Sequence, residues 1–456
     1  MPPPPFVEVR FQNRFLTAPL VKFLSLSRFV EVIFRIDFLL LHCFLNRNKM
    51  VKWYDQTMEK IKQRMEKGKE KEKAEKEDTI LLDRLIWSTD LRKHAFGVFS
   101  FAGIQGKALR EEEAQVDIHE SVTFAAIFDG HGGDQAADLL AKSFLRELVA
   151  LASQNSGRIV SSMITRVLLD LESKFMRMAA EDTKLHKTGS SCLVVAITKE
   201  DFIVANIGSS CAVIGREEKD SKDLLQKTRE LLSFQHKPRK LLAIPITVEH
   251  SLQLEGERKR MLEDPENAPF IFLDDDDDTW KLRDQEGSRL SRSFGDLHLK
   301  FPEFAEESMR SLHFPVIRSD PDETQVVLKP ENKFIILASD GFWRYFSPQE
   351  AVDLVGKHPN EGIAKRLVRK AVKLGIKEFN EWEKEGGYKG LYFRKHGSRY
   401  DDISVIVIFL DNKLMQVGQG VPMISSLSFK HPEVSELKGL RVPSPSIHGA
   451  STSGTN

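Results

Sequence analysis

The sequence predicts an α+β protein built from stacked, mostly antiparallel sheets flanked by helix pairs. Short apolar runs rich in Val, Ile and Phe fall in hairpin-like clusters, the pattern of strands buried in a sheet core. Helical patterns come in pairs between those clusters and not one after each strand, which argues against a doubly wound βαβ sheet. Neither a G-x-G-x-x-G run nor a P-loop occurs, so nothing points to the nucleotide-binding folds that use them.

In chain order, residues 122–128 (VTFAAIF) read as the first buried strand. Two amphipathic helices follow. Ala137, Leu140, Phe144, Leu148 and Leu151 share one helical face, and Ile159, Met163, Val167, Leu171 and Phe175 share another. Apolar runs at 192–197, 202–207 and 211–214 predict a cluster of three strands. Runs at 324–328 and 334–338 predict two more, a third helix spans 363–379, and ISVIVIFL at 403–410 closes the folded part.

With 456 residues there is room for one large domain with extensions or for two ordinary ones. Hydrophobic content of 41 % and charged content of 29 % suit a soluble protein with a core. Lys plus Arg balance Asp plus Glu at 67 each, so the basic surplus of a nucleic-acid binder is missing. The three cysteines, Cys43, Cys192 and Cys211, have no paired spacing; neither a disulfide framework nor a zinc site is expected, and a reducing compartment is.

The ends differ from the middle. Residues 1–49 are read as an apolar extension, a gene-prediction artefact with Met50 as the alternative start. Its apolar stretch is interrupted by Arg28, Glu31, Arg35 and Asp37, too many charges for a spanning helix, and no signal-peptide cleavage pattern follows. Residues 50–90 form a charged arm, because MEKIKQRMEKGKEKEKAEKED buries no face. The folded domain is expected over 91–411, and 412–456, rich in Ser, Pro and Gly, as a flexible tail.

Chemistry is expected where carboxylates end apolar strands. Asp129 ends FAAIF and opens Gly-His-Gly-Gly, Asp340 ends FIILAS, and Asp401 and Asp402 precede ISVIVIFL. A single Asp at such a place is usually a turn or cap residue. Three together, fixed by buried strands, make an oxygen-only ligand set for hard divalent cations. Two such ions can activate a water and clamp a phosphoryl group.

Six ordered blocks then resemble the type 2C protein phosphatases, metal-dependent Ser/Thr phosphatases, and their plant branch in particular. They are FDGHGG at 128–133, TGSSCLVVAI at 188–197, FIVANIGSSCAVI at 202–214, LSRSFGDLHLK at 290–300, FIILASDGFW at 334–343 and DDISVIVIF at 401–409. The resemblance implies a four-layer α-β-β-α sandwich, two sheets face to face between helix pairs. It implies two Mg²⁺ or Mn²⁺ ions, with Asp129 bridging both, the Gly130 carbonyl on one, and Asp340 and Asp401 completing the other. An activated water would attack phosphorus in line, and His131 would protonate the leaving Ser or Thr oxygen. Asp296 is assigned a structural role.

Departures from the family pattern bear on turnover. The first block normally reads Arg-x-x-x-Glu-Asp. In GKALREEEAQVD the best alignment puts Ala108 at the phosphate-gripping Arg and Glu112-Glu113 at the acidic pair, the latter two as outer contacts of the metals; a shifted register puts Lys107 or Arg110 near the phosphate. Ser209 stands where an Asp helps hold a third ion, so that ion's site is expected to be impaired. Arg344 replaces another acid and is expected to lower the negative charge there. The block that normally reads Asp-His-Lys-Pro has two candidates, Gln235-His236-Lys237-Pro238 and Val248-Glu249-His250. The acidic run Asp274–Asp278 reads as an exposed loop within a flap.

Three outcomes stay open from sequence. One is a phosphatase acting on phosphoproteins, with weak activity. Another is a pseudophosphatase that binds phosphoproteins or regulatory proteins without turnover. The last is a remnant product with no stable role. No nucleic acid or membrane partner is expected, a monomer is the default, and the expected location is the soluble cytoplasm or nucleus.

Overall fold

The computed structural model describes residues 86–89, 91–106, 111–118, 122–155, 159–198, 201–218, 240–274, 278–284, 287–384 and 400–411, and the backbone of 425–429. The chain divides into a unit of residues 1–80 and a unit of residues 81–456. The extension 1–49 and the arm up to residue 85 lie outside the described residues.

The strands, in chain order, are β1 (Trp87–Ser88), β2 (Arg92–His94), β3 (Gly97–Ile104), β4 (Glu112–Ile118), β5 (Thr123–His131), β6 (Gly189–Ser190), β7 (Cys192–Ile197), β8 (Asp201–Ile207), β9 (Cys211–Glu217), β10 (Leu241–Pro245), β11 (Ile271–Asp274), β12 (Thr279–Leu282), β13 (Phe294–Gly295), β14 (Asp322–Val327), β15 (Asn332–Ala338), β16 (Ile403–Leu410) and β17 (Ser425–Phe429). The α-helices are α1 (Gln135–Gln154), α2 (Ser161–Ala179), α3 (Glu255–Leu262), α4 (Asp340–Trp343), α5 (Pro348–Gly356) and α6 (Ile363–Lys384). All pairings between these strands are antiparallel.

Among the described residues, one sheet runs β1-β3-β16-β15-β9-β10 with β2 beside β3. The other runs β13-β6-β5-β7-β8-β14, with β4 on the free side of β5 and β17 beyond it. Phe99, Phe101, Ile127, Val195, Ile214, Leu337 and Ile406 fill the space between the sheets. Phe128, Phe144, Leu171 and Phe175 seal α1 and α2 onto one outer face, and Ile336, Val352, Leu367 and Val405 seal α5 and α6 onto the other. The predicted four-layer sandwich is therefore what the chain forms.

The period of two explains why β5 reads as a solid apolar run. Ala125 and Ile127 enter the inter-sheet core, whereas Phe124, Ala126 and Phe128 enter the helix-side core. Each fully buried Phe or Leu in these layers contributes about 1.5–3 kcal/mol. Helix α5 starts sharply because Ser347 and Glu350 form a reciprocal capping box with Pro348 in the first turn, worth about 1 kcal/mol.

Two expectations need correction, and one strand was not foreseen. The folded part starts before residue 91, since Ile86 is buried and β1 pairs with β3. The segment 412–456 is not uniformly a tail, because Ser425–Phe429 pairs along β4. And β4 itself escaped the pattern reading: EEAQVDI carries two Glu, a Gln and an Asp, yet all but the first of its residues are buried. With β5 on one side and β17 on the other, β4 is an interior strand, where burial and not alternation governs.

Between β10 and β14 the chain makes an excursion with its own small core of Leu252, Met261, Phe270, Leu282, Leu299 and Ile317. Asp274 closes β11 and pairs with Lys281; residues 275–277 of the acidic run lie outside the described residues. No helix among the described residues is long and apolar enough to cross a membrane.

Candidate metal centre

The turn after β5 is built by backbone pairing. Gly130 and His131 pair with Ser190 and Gly189 of β6, and Gly130 N–H donates to the Glu111 carbonyl at 3.0 Å. Ser191 N–H donates to the Asp129 carbonyl at 2.8 Å. These contacts hold Asp129 and His131 at the mouth of the sandwich, where β4 and β5 of one sheet meet β16 and β15 of the other.

Asp129 sits directly across from Glu112 on β4. Glu112 in turn faces Asp401 and Asp402 at the start of β16. Burial pushes its carboxyl well above the usual range, and the charges of Asp402 and then Asp401 push the same way, against hydrogen bonds from Ser404 and Ser339. The segment of Asp340 lies against that of Asp401. A Cβ on Gly341 would stand 3.1 Å from the Asp401 Cβ and 2.1 Å from the Asp402 carbonyl, so only a residue without a side chain lets the two carboxylates start so close together. Asp402 also holds Gly106 and Glu111, accepting from Gly106 N–H at 2.7 Å and from Glu111 N–H at 3.5 Å.

The register of β4 differs from the sequence alignment by one residue. Glu111 Oε1 accepts from Gly133 N–H at 3.2 Å, and Glu112 meets the Asp401–Asp402 pair. Glu113, one step along the pleat, points to the other face and acts on Lys142 of α1. Glu112 is thus the member of this acidic run that meets the Asp401–Asp402 pair. Ala108, Lys107 and Arg110 lie outside the described residues.

Ser209 follows β8 and occupies the flank of Asp340. Its hydroxyl donates to Asp340 Oδ2 at 3.3 Å, and its backbone N–H donates to Ser191 Oγ at 3.1 Å. Arg344, four residues after Asp340, donates to Glu378 of α6 at 2.7 Å and lies over the Tyr345 ring. The expected loss of local negative charge through Arg344 is therefore offset by Glu378. Of the two candidate blocks, Gln235–Pro238 lies outside the described residues. Val248-Glu249-His250 lies beside the centre: His250 Nδ1 accepts from Gly208 N–H at 3.1 Å. Burial pushes the Glu249 carboxyl up, and the Asp340 charge adds to that push.

His131 has a partner that the sequence had left as scaffold. Its Nε2 lies 2.7 Å from Asp296 Oδ2, a distance of a charge-assisted hydrogen bond. Burial alone would raise the Asp296 carboxyl; the His131 charge and the hydrogen bonds from His131 and Ser293 override it and hold it below the usual range. No local pattern pairs residues so far apart, so nothing in the sequence reports this contact.

The donor set fits hard divalent cations. The side chains that gather here, Asp129, Glu112, Asp401 and Asp402, offer oxygens alone, which is the chemistry of Mg²⁺ and Mn²⁺. Among the described residues, no three His, Cys, Asp or Glu side chains stand closed around one point as a metal site. Neighbouring like charges repel until a proton or a cation neutralises them; the Glu112 carboxyl is raised by burial first and by the charges of Asp402 and Asp401 besides.

Comparison with known proteins follows the same line. The family profile described as Protein phosphatase 2C matches residues 102–378. A curated relative from Arabidopsis thaliana, "Probable protein phosphatase 2C 68", is 32 % identical over 365 residues, spanning 76 % of this chain and 87 % of the relative. "Probable protein phosphatase 2C 43" from Oryza sativa subsp. japonica is 32 % identical over 363 residues, spanning 76 % of this chain and 86 % of that protein. Among solved structures, a serine-threonine phosphatase 2C from Toxoplasma gondii aligns with a TM-score of 0.51 at 15 % identity, over 72 % of this chain and 99 % of that one. That last likeness is one of fold.

Proposed function

This chain belongs to the protein phosphatase 2C family, and on that premise we propose that it hydrolyses phosphoserine and phosphothreonine in proteins with the help of two Mg²⁺ or Mn²⁺ ions. The observation that carries the reading is the meeting of Asp129, Glu112, Asp401 and the Asp340 segment at one mouth of the sandwich, beside His131. Asp129, the Gly130 carbonyl, Asp340 and Asp401 are the groups to hold the ions, with Glu111 and Glu112 behind them. When bound, the ions supply an activated water and neutralise the phosphoryl oxygens.

The chain's own residues do the rest. His131 delivers the proton that the departing serine or threonine oxygen needs. Asp402 ties Gly106 to Glu111 by accepting a hydrogen bond from the N–H of each. By the spacing of the acidic pair, the phosphate contact falls on Lys107 and not on Ala108; a lysine supplies a point charge where an arginine would supply a fork. The third-ion position, with Ser209 beside Asp340, is weakened. The action belongs in a reducing compartment: Cys192 and Cys211 are free thiols, and burial pushes the Cys211 thiol up to about 12.

Purified protein given a phosphoserine peptide is expected to release phosphate in the presence of Mn²⁺, and Asp129→Asn to lower that rate at least about 100-fold. Ser209 in place of a carboxylate favours one alternative, a binding protein without turnover. Equal rates for wild type and Asp129→Asn would establish that alternative in place of the enzyme.

A further inference from the structure

We propose that Asp296 is a positioning residue for His131: by taking the Nε2 hydrogen bond it fixes the imidazole ring so that Nδ1 delivers the proton to the leaving-group oxygen. The inference deepens the phosphatase reading and rests on it for the identity of the leaving group.

Several features of the fold are arranged around this one contact. Nε2 and Oδ2 are 2.7 Å apart, with the Asp296 side chain 6 % exposed and that of His131 29 % exposed. The carboxylate is therefore on the closed side and the ring reaches towards solvent. Oδ2 accepts a second hydrogen bond from Ser293 Oγ at 2.6 Å, and Asp296 N–H donates to the Thr188 carbonyl at 2.9 Å. The residue is held in a left-handed conformation, φ 47° and ψ 47°, which Asp tolerates better than most side chains but which still needs surrounding structure to maintain it.

The neighbouring strand is cut away to make room. Gly189 pairs with His131 on one side and with Gly295 on the other. A Cβ there would stand 2.2 Å from Asp296 Oδ2 and 2.4 Å from His131 Nε2. The hydrogen bond thus passes directly over a glycine α-carbon. A carboxylate that served only to hold the 293–296 turn would be satisfied by Ser293 and the backbone, and would need neither the histidine nor that opening.

The chemical consequence is specific. With Nε2 committed to Asp296, the other ring nitrogen faces the reaction. The ring acts in its doubly protonated form: the bond between phosphorus and the serine oxygen breaks, that oxygen takes the proton from Nδ1 and leaves as the alcohol, the ring is left as the Nε2–H tautomer, and a water that gives up a proton supplies the oxygen that completes inorganic phosphate. An aryl leaving group such as p-nitrophenolate departs without a proton, so its hydrolysis does not depend on how the ring is held.

The test compares the full-length protein and Asp296→Asn, with Mn²⁺, on a phosphoserine peptide and on p-nitrophenyl phosphate. The peptide kcat is expected to fall ~10- to 100-fold more than the aryl phosphate kcat, with the peptide KM little changed. Equal falls on both substrates would reduce Asp296 to a scaffold and overturn the proposal. Should Asp296→Asn fail to fold, Ser293→Ala removes one of the two donors to Oδ2 and is expected to move the same ratio in the same direction by a smaller factor; an unmoved ratio overturns the proposal. Imidazole ¹⁵N spectra of histidine-labelled protein, with His131 assigned through His131→Gln, read the ring directly. The Nε2–H tautomer is expected, and Nδ1–H overturns the proposal. If wild type hydrolyses neither substrate, the phosphatase reading fails, and the spectrum still decides the orientation of the ring.

Discussion

Ser209 Oγ donates a hydrogen bond to Asp340 Oδ2 at 3.3 Å, so a neutral hydroxyl faces a carboxylate at the place where the family carries a second carboxylate. A hydroxyl there spares the metal-free protein a repulsion and, on the proposed reading of this position, leaves a third ion one carboxylate short. Ser209→Asp is therefore expected to lower the melting temperature without metal, by an amount corresponding to about 1–4 kcal/mol for two charges near 4 Å. It is expected to gain more from Mn²⁺ than wild type does. Differential scanning fluorimetry with and without Mn²⁺ reads both effects; identical Mn²⁺ shifts in the two proteins would count against a third-ion role for this position.

Gly189→Ala is expected to destabilise the fold by about 1–3 kcal/mol, since overpacking forces either the strand junction or the Asp296–His131 pair to open. The Cβ would collide with both partners of that bond, at 2.2 and 2.4 Å. Denaturant unfolding measures the first effect and phosphopeptide hydrolysis the second. A variant of wild-type stability and rate would show that the junction relaxes freely.

The pH dependence of stability has a source at His94. This ring is buried and neutral: Nε2 donates to the Phe409 carbonyl at 3.1 Å, and Nδ1 accepts from Phe96 N–H at 3.3 Å. Burial lowers its pKa from 6.5 to about 4, outweighing the backbone carbonyl contact that raises it. Between those values the unfolded chain binds the proton and the folded one does not. The contribution is therefore complete above pH 6.5, declines as pH falls, and is gone at about pH 4, a loss of roughly 3 kcal/mol. His94→Gln is expected to be less stable at neutral pH and to have a flatter profile across this window. Urea denaturation at stepped pH checks it, and parallel profiles for the two proteins would exclude His94 as the source.

Arg292 joins the excursion to the sandwich. Its guanidinium donates to Glu257 of α3 at 2.8 Å and to Asp322 of β14 at 2.8 Å, and Asp322 Oδ2 lies 3.1 Å from His250 Nε2. Burial alone would raise Glu257, but the Arg292 and Ser291 hydrogen bonds hold it at about 2. Arg292→Met strands these carboxylates and is expected to cost about 2–3 kcal/mol, less than a fully buried pair because Asp322 is half exposed. Limited proteolysis within 250–320 should quicken along with the loss of stability. Unchanged proteolysis would mean that the small apolar core of the excursion holds it in place alone.

Two kinds of information separate in this protein. The sequence by itself determined the layered α+β architecture, most of its buried strands and the helical patterns at 137–151, 159–175 and 363–379, which fall largely within Gln135–Gln154, Ser161–Ala179 and Ile363–Lys384, and it offered Asp129, Asp340 and Asp401 as candidate ligands. These are legible because hydrophobic period and strand-end position are local properties, readable within a few residues. Tertiary structure decided the rest. It put Glu112 against the Asp401–Asp402 pair and Glu113 on the opposite face, because one step along a strand exchanges the faces of the side chains. It made an interior strand of the polar run 112–118 by pairing it with Ser425–Phe429. And it joined His131 to Asp296, 165 positions away, a contact set by where β5, β6 and β13 meet. No pattern along the chain encodes such a meeting; it follows only once the strands have found their neighbours.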